Sequence, residues 1–120
     1  MQRRIIAVVD DMFFIARIRG TAETIEVPLH FARSINAVCE LATKEPTSLI
    51  IADLQVRCCD PFELAERLRS DERLKTIPLL GFFSHVQTAL QKQADEAGFD
   101  RILPRSSFSK NLPQILDGSF

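Results

Sequence analysis

Three aspartates open the reading of this chain, because their positions could do chemistry. Asp10 and Asp11 stand directly after the apolar run IIAVV, and Asp53 directly after SLIIA. Carboxylates brought together repel one another and hold protons at neutral pH unless a cation neutralises them. Oxygen donors of this kind suit magnesium, which keeps several of its waters. Asp10, Asp11 and Asp53 are therefore expected to form a pocket that binds magnesium weakly, two or three carboxylates and waters making a partial octahedron. A plainer account also stands at this point: an acid that follows a strand can simply cap the next helix and favour its N-terminal dipole.

The acids meet only if particular elements position them. The runs Arg4 to Val9, Ser48 to Ala52 and Ile77 to Phe83 are short, apolar and without polar alternation, which is the pattern of strands buried on both faces. Between them lie stretches with helical spacing: Phe13, Phe14 and Ile18; Ile35, Val38, Cys39 and Leu41; Phe62, Leu64 and Leu68. Ser34 is a candidate cap for the second helix, and Asp60 followed by Pro61 a candidate start for the third. A fourth helix is expected over Val86 to Ala97, stopped by Gly98, then a last strand over Arg101 to Leu103 and a short helix near Ser109 to Leu116. The second strand, about Ile25 to Phe31, contains Pro28, which cannot donate to a ladder. Five strand–helix pairs in alternation imply an α/β fold: a doubly wound, five-stranded parallel sheet, flavodoxin-like, in order 2-1-3-4-5. Ligands of such sheets bind outside the carboxyl ends of the strands, where all three aspartates fall.

Composition narrows the function classes. At 120 residues the chain fits one domain, residues 1–120, and 46% apolar with 26% charged residues is the balance of a globular core. The formal net charge is -1 and the basic residues are scattered, so the electrostatic footprint of a nucleic-acid binder is missing. No apolar run is long enough to cross a bilayer, and the start of the chain lacks a signal-peptide core; a cytoplasmic location is expected. Three cysteines, two of them adjacent at Cys58 and Cys59, fit neither a disulfide framework nor a C-x-x-C motif, so reduced thiols are expected.

IIAVVDD, then SLIIADL with Asp53, then a strand beginning IPLL together resemble the receiver domain of bacterial response regulators, over nearly the whole chain. The resemblance implies a non-enzymatic module of two-component, or phosphorelay, signalling. Asp53 would be the phosphoryl acceptor, with Asp10 and Asp11 holding magnesium. A sensor histidine kinase or a phosphotransfer protein would be the donor. A downstream protein, or a second copy of the chain, would be met through the fourth helix, fifth strand and last helix.

Several positions depart from the family pattern. The proline four residues after the acceptor and the glycine eight after it are replaced by Arg57 and Pro61, and the lysine at the end of the last strand by Arg105, followed by Ser106. Arginine keeps the charge but is not interchangeable with lysine. The aromatic residue three places before that lysine is Ile102. Counted from Pro78, the fourth-strand hydroxyl position holds Phe83, and Ser84 takes it only with a register slip of one, which turns the side chain to the other face. With Phe83 there, a phosphoryl group would lack a donor from the fourth strand, and activation is expected to change the fourth helix and fifth strand little. These departures are similar to those of pseudo-receivers, docking modules that act without phosphorylation, and this is the second reading. A third, a magnesium-dependent phosphatase of the haloacid dehalogenase type, needs a D-x-D arrangement that Asp10-Asp11-Met12 does not supply.

Other residues have plainer roles. His85, just past the fourth strand, could border the pocket but is read as a solvent-facing loop histidine, Cys58 and Cys59 as small buried hydrophobes in the loop close to it, and Phe13 and Phe14 as core or pocket-rim packing. Phe82, Phe83, Phe108 and Phe120 are expected to expose some aromatic surface near the fourth and fifth strands.

Overall fold

The computed structural model describes residues 3–84 and 88–120. Five strands form one parallel sheet in order β2-β1-β3-β4-β5: β1 Ile5–Val8, β2 Leu29–Phe31, β3 Leu49–Asp53, β4 Leu79–Phe83 and β5 Arg101–Pro104. The helices are α1 Met12–Thr24, α2 Ile35–Lys44, α3 Pro61–Ser70, α4 Thr88–Ala97, α5 Arg105–Lys110 and α6 Leu112–Asp117. The doubly wound α/β fold and its strand order are those read from the sequence.

Each central strand buries both faces, because side chains alternate and helices cover each side. One layer packs Ile6, Val8, Ile50, Ala52, Leu79 and Phe83 against α2, α3 and α4. The other packs Ile5, Ala7, Ile51, Leu80 and Phe82 against Phe14 and Ile18 of α1, Phe108 of α5 and Leu112 of α6. At Gly81 the Phe99 ring packs close over β4: a Cβ there would lie 2.9 Å from it. Among the described residues no helix is long and apolar enough to cross a membrane.

Local rules account for the helix starts. Ser34 accepts the Ala37 N–H, and Asp60 accepts those of Phe62 and Glu63 ahead of Pro61, so both caps fall where their residue types place them. The second strand is shorter than its apolar pattern implies. Ile25 and Val27 donate their N–H groups back to Thr21 and Ala22, and Glu26 is left-handed (φ 58°), so this stretch ends α1 and does not pair. The short last helix is instead two helices, beginning at Arg105 and meeting at Asn111. Pro113, without an N–H, cannot continue the first ladder and sits in the opening turn of the second. The expected start of the fourth helix at Val86 lies outside the described residues.

The aromatic surface expected near β4 and β5 is largely absent. Phe82, Phe83 and Phe108 are buried, the rings of Phe82 and Phe108 stacked at 4.2 Å, because β4 is central and covered on both faces. Phe120 alone of the four is exposed. Phe14 is core, whereas Phe13 is 68% exposed beside Met12 at the start of α1.

Candidate functional site

The carboxyl ends of β1, β3, β4 and β5 open on a cleft of about 500 Å³ lined by Asp10, Asp11, Arg33, Asp53, Gln55, Arg57, Ser84 and Arg105. The three aspartates arrive there from two adjacent strands, β1 and β3, whose pairing sets Val8 beside Ala52. Each is held differently.

Asp11 caps α1: its Oδ1 accepts the Phe13 and Phe14 N–H groups at 2.9 and 3.2 Å. Its Oδ2 accepts from the Arg105 guanidinium at 3.1 Å. The Phe14 and Phe13 amides, with Arg105 adding to them, lower the Asp11 pKa against the opposing effect of desolvation. The plain capping account therefore holds for this residue, alongside its place in the cleft. Asp10 reaches across to the loop after β3, where its Oδ2 accepts the Arg57 and Cys58 N–H groups at 2.9 and 3.0 Å. Asp53, the last residue of β3, is 8% exposed. Burial raises its pKa, opposed by the Gln55 N–H at 2.9 Å and by Arg105, and reinforced by the charges of Asp10 and Asp11.

Strand alternation decides between Phe83 and Ser84. Phe82 stands beside Asp53 in the ladder and points into the α1 layer, so Phe83 points the other way, into the core under α3 and α4. Ser84 returns to the side of Phe82 and lines the cleft. Its N–H donates to Gln55 Oε1 at 3.0 Å, and Arg105 Nη1 lies 3.5 Å from its Oγ. The expectation that Phe83 takes the hydroxyl position is corrected: Ser84 lines the cleft without a register slip, and the expectation that activation changes α4 and β5 little loses one of its premises, the other being arginine in place of lysine at Arg105. His85 lies outside the described residues.

Arg105, the first residue of α5, sets its guanidinium carbon 4.0 Å from the centre of the Phe14 ring while Nη2 of the same head holds Asp11. Ring and carboxylate together fix its planar head, which a lysine ammonium would not reproduce. Two more arginines line the cleft that the motif reading did not place there, Arg33 after β2 and Arg57 after β3. The signal was available, since both follow strand ends, but charge counting alone hides it. Cys58 and Cys59 are half-buried, their sulfurs 4.0 Å apart, and burial with the neighbouring thiol pushes Cys59 up to about 12.

The donor set fits a divalent cation only in part. Among the described residues no group of three acidic, histidine or cysteine side chains is arranged to hold a metal ion. Both oxygens of Asp11 are engaged, and Asp10 Oδ1 and Asp53 Oδ2 are the carboxylate oxygens in the cleft that accept no hydrogen bond from the described residues. Two such oxygens suit an ion that keeps most of its waters.

No known family model and no curated protein matches the sequence. Solved structures do match. The chemotaxis response regulator of Vibrio cholerae aligns over 100% of both chains at a TM-score of 0.83 and 17% identity. A response regulator of Hahella chejuensis aligns over 99% of this chain and 96% of its own at 0.85 and 21% identity. The receiver domain of a sensor histidine kinase from Pseudomonas aeruginosa, solved with magnesium coordinated in its active-site cleft, aligns over 99% and 100% at 0.79 and 15% identity. The fold is that of a receiver domain. At such low identity the likeness is one of fold.

Proposed function

We propose that residues 1–120 act as one receiver domain in two-component signalling, with Asp53 as the phosphoryl acceptor. The observation that carries this reading is the meeting, at one cleft, of a buried carboxylate held basic by its surroundings, a serine hydroxyl and a guanidinium. The domain is a switch read by other proteins, not an enzyme for a small substrate.

The chemistry follows from those three groups. An Asp53 oxygen forms a bond to phosphorus in line as the bond from phosphorus to the donor's leaving atom breaks, and the leaving group keeps that electron pair and takes up a proton. Burial raises the Asp53 pKa and so makes its carboxylate more basic than one free in water, with the Gln55 N–H and Arg105 opposing that rise. On the acyl phosphate, Arg105 and the Ser84 hydroxyl, which line the same cleft, would donate to the new oxygens. Asp10 and Asp53, whose free oxygens face the cleft, would hold magnesium weakly, and the ion offsets charge on the transferred oxygens when bound. The donor would be a histidine kinase or a phosphotransfer protein, in the cytoplasm. The output surface would be α4, β5 and α5, toward a partner protein or a second copy, with no nucleic acid or membrane involved.

Incubation with a small phosphodonor and magnesium should add the mass of one phosphoryl group, and Asp53→Asn should abolish the gain. Modification that persists in Asp53→Asn would overturn the assignment. One observation favours a second reading, docking without phosphorylation: Ile102 is half-buried against the core where receivers carry a mobile aromatic ring. Unchanged partner binding by Asp53→Asn and by the phosphorylated protein would select that reading.

A further inference from the structure

At the other end of the sheet from Asp53, where the strands begin, stands a buried arginine whose donors are only half used. The Arg4 side chain is 8% exposed. Its Nη1 donates to Leu41 O at 3.0 Å, Glu45 O at 3.2 Å and Thr47 Oγ1 at 3.0 Å. The opposite edge of the guanidinium, Nε with Nη2, makes no hydrogen bond among the described residues. Glu45 Oε2 lies 3.1 Å from Nε but out of line with its N–H, so the buried Nε stays unsatisfied. A buried donor without a partner calls for a water, an ion or a ligand. The unused edge is also the fork that grips a planar oxyanion through two parallel N–H bonds.

A cavity of about 820 Å³ opens here, lined also by Arg3, His30, Ser48 and Asp117. A second, of about 350 Å³, shares Arg3 and Ser48 with it and is walled by Leu49, Leu80, Ile115 and Phe120. Polar groups at one side of an apolar chamber are the usual make-up of a small-molecule site. We propose that the two cavities together bind a small organic acid with an apolar body, its carboxylate on the Nε–Nη2 edge of Arg4 and its body in the chamber beyond Arg3. Three acidic residues line these cavities. Asp100 Oδ2 is taken by Arg69 and the Leu79 N–H, and Asp117 Oδ1 by Ser119. Glu45, exposed at the end of α2, is the group the ligand replaces, since its side chain is free to turn into solvent. The inference is independent of the acceptor role of Asp53.

The test is a titration with octanoate, followed by backbone amide resonances, with acetate and octan-1-ol as the two halves of the probe. Octanoate should shift Arg4, Glu45 and residues 47–49 saturably. It should bind about tenfold or more tightly than acetate, each fully buried methylene being worth about fourfold. Octan-1-ol lacks the charge and should bind about tenfold less tightly than octanoate. Glu45→Gln removes the competing carboxylate at an exposed position and should tighten octanoate roughly two- to fivefold. Arg4→Lys keeps the charge without the fork and should weaken octanoate about tenfold; if that variant does not fold, Glu45→Gln decides alone. Octan-1-ol that binds as tightly as octanoate, Glu45→Gln that binds no better than wild type, or shifts that appear only elsewhere in the chain would overturn the site. So would the lack of any saturable shift at millimolar octanoate.

Discussion

Replacing Arg69 by alanine should cost about 3–4 kcal/mol of stability and leave the cleft as it is. Arg69, near the end of α3, donates Nε to Gly98 O at 2.8 Å, Nη1 to Lys75 O and Ile77 O at 2.8 and 2.9 Å, and Nη2 to Asp100 at 2.6 Å. Its carbonyl partners precede β4 and β5, so one guanidinium ties α3 to the starts of two strands. The bonds to Gly98 and Ile77 are partly buried. At about 1.5 kcal/mol or more for each bond from a charged donor, their loss costs roughly 3 kcal/mol. The more exposed contacts to Lys75 and Asp100 add about 1 kcal/mol at most. That is a large share of the roughly 5–15 kcal/mol that holds an ordinary domain. Urea denaturation of Arg69→Ala and Arg69→Lys measures it, and lysine, with one ammonium for three carbonyls, should restore less than half. A loss under about 1 kcal/mol for alanine, or full rescue by lysine, would refute the argument. Magnesium titration of the alanine variant should match wild type, since all four contacts lie at the end of the sheet away from the cleft.

Two further outcomes concern the cleft. Burial raises the Asp53 pKa in the folded chain, so its ionisation opposes folding: the penalty is complete above the folded pKa and vanishes below the unfolded value. Asp53→Asn should therefore be more stable than wild type at neutral pH, on the order of 1 kcal/mol or roughly 4 °C in Tm, with the two melting curves converging as pH falls through the Asp53 titration; a gap that widens in acid contradicts this. Arg57→Pro restores the residue that receivers carry but removes the N–H that Asp10 accepts, at a cost of about 1 kcal/mol in chemical denaturation, whereas Arg57→Ala keeps that N–H and should be nearly neutral; equal losses would show that the amide is not the reason.

Most of the architecture was legible because the signals are local. IIAV and LIIAD are buried at every position, and no other element gives an unbroken apolar run of that length closed by an acid. Ser34 and Asp60 mark helix starts by side-chain chemistry that acts within three residues. The positions that misled depend on longer-range geometry. Phe83 and Ser84 differ by one step along a strand, and only the pairing of Asp53 with Phe82 tells which faces the cleft. Arg33 is an exposed arginine by any local rule, and it becomes a lining residue only through the strand order. Ile25 and Val27 are good strand formers, overridden because their N–H groups close the end of α1.

The arginines show the same division between what a helix end dictates and what a site demands. In a parallel α/β sheet the helices run back against the strands, so their carbonyl ends gather where strands begin and their N–H ends where strands finish. Arg4 obeys that polarity: 6% exposed, it donates to Leu41 O and Glu45 O at the end of α2, with Glu45 Oε2 3.1 Å from its Nε. Arg3 does the same for Ile115 O at the end of α6. Asp11, Ser34 and Asp60 obey it at the other end, each accepting the first free N–H groups of a helix. Arg33, just before the cap of α2, Arg57, three residues before the cap of α3, and Arg105, at the first position of α5, are on the wrong side by this rule. Cations near helix N-termini are disfavoured by about 0.3–1 kcal/mol each. The carboxylates of the cleft offset that cost for Arg105, which holds Asp11 directly. Arg33 and Arg57 have no such side-chain contact among the described residues. Under the proposed acceptor role of Asp53, a phosphoryl group bound there would bring an anion to the cleft that both arginines line.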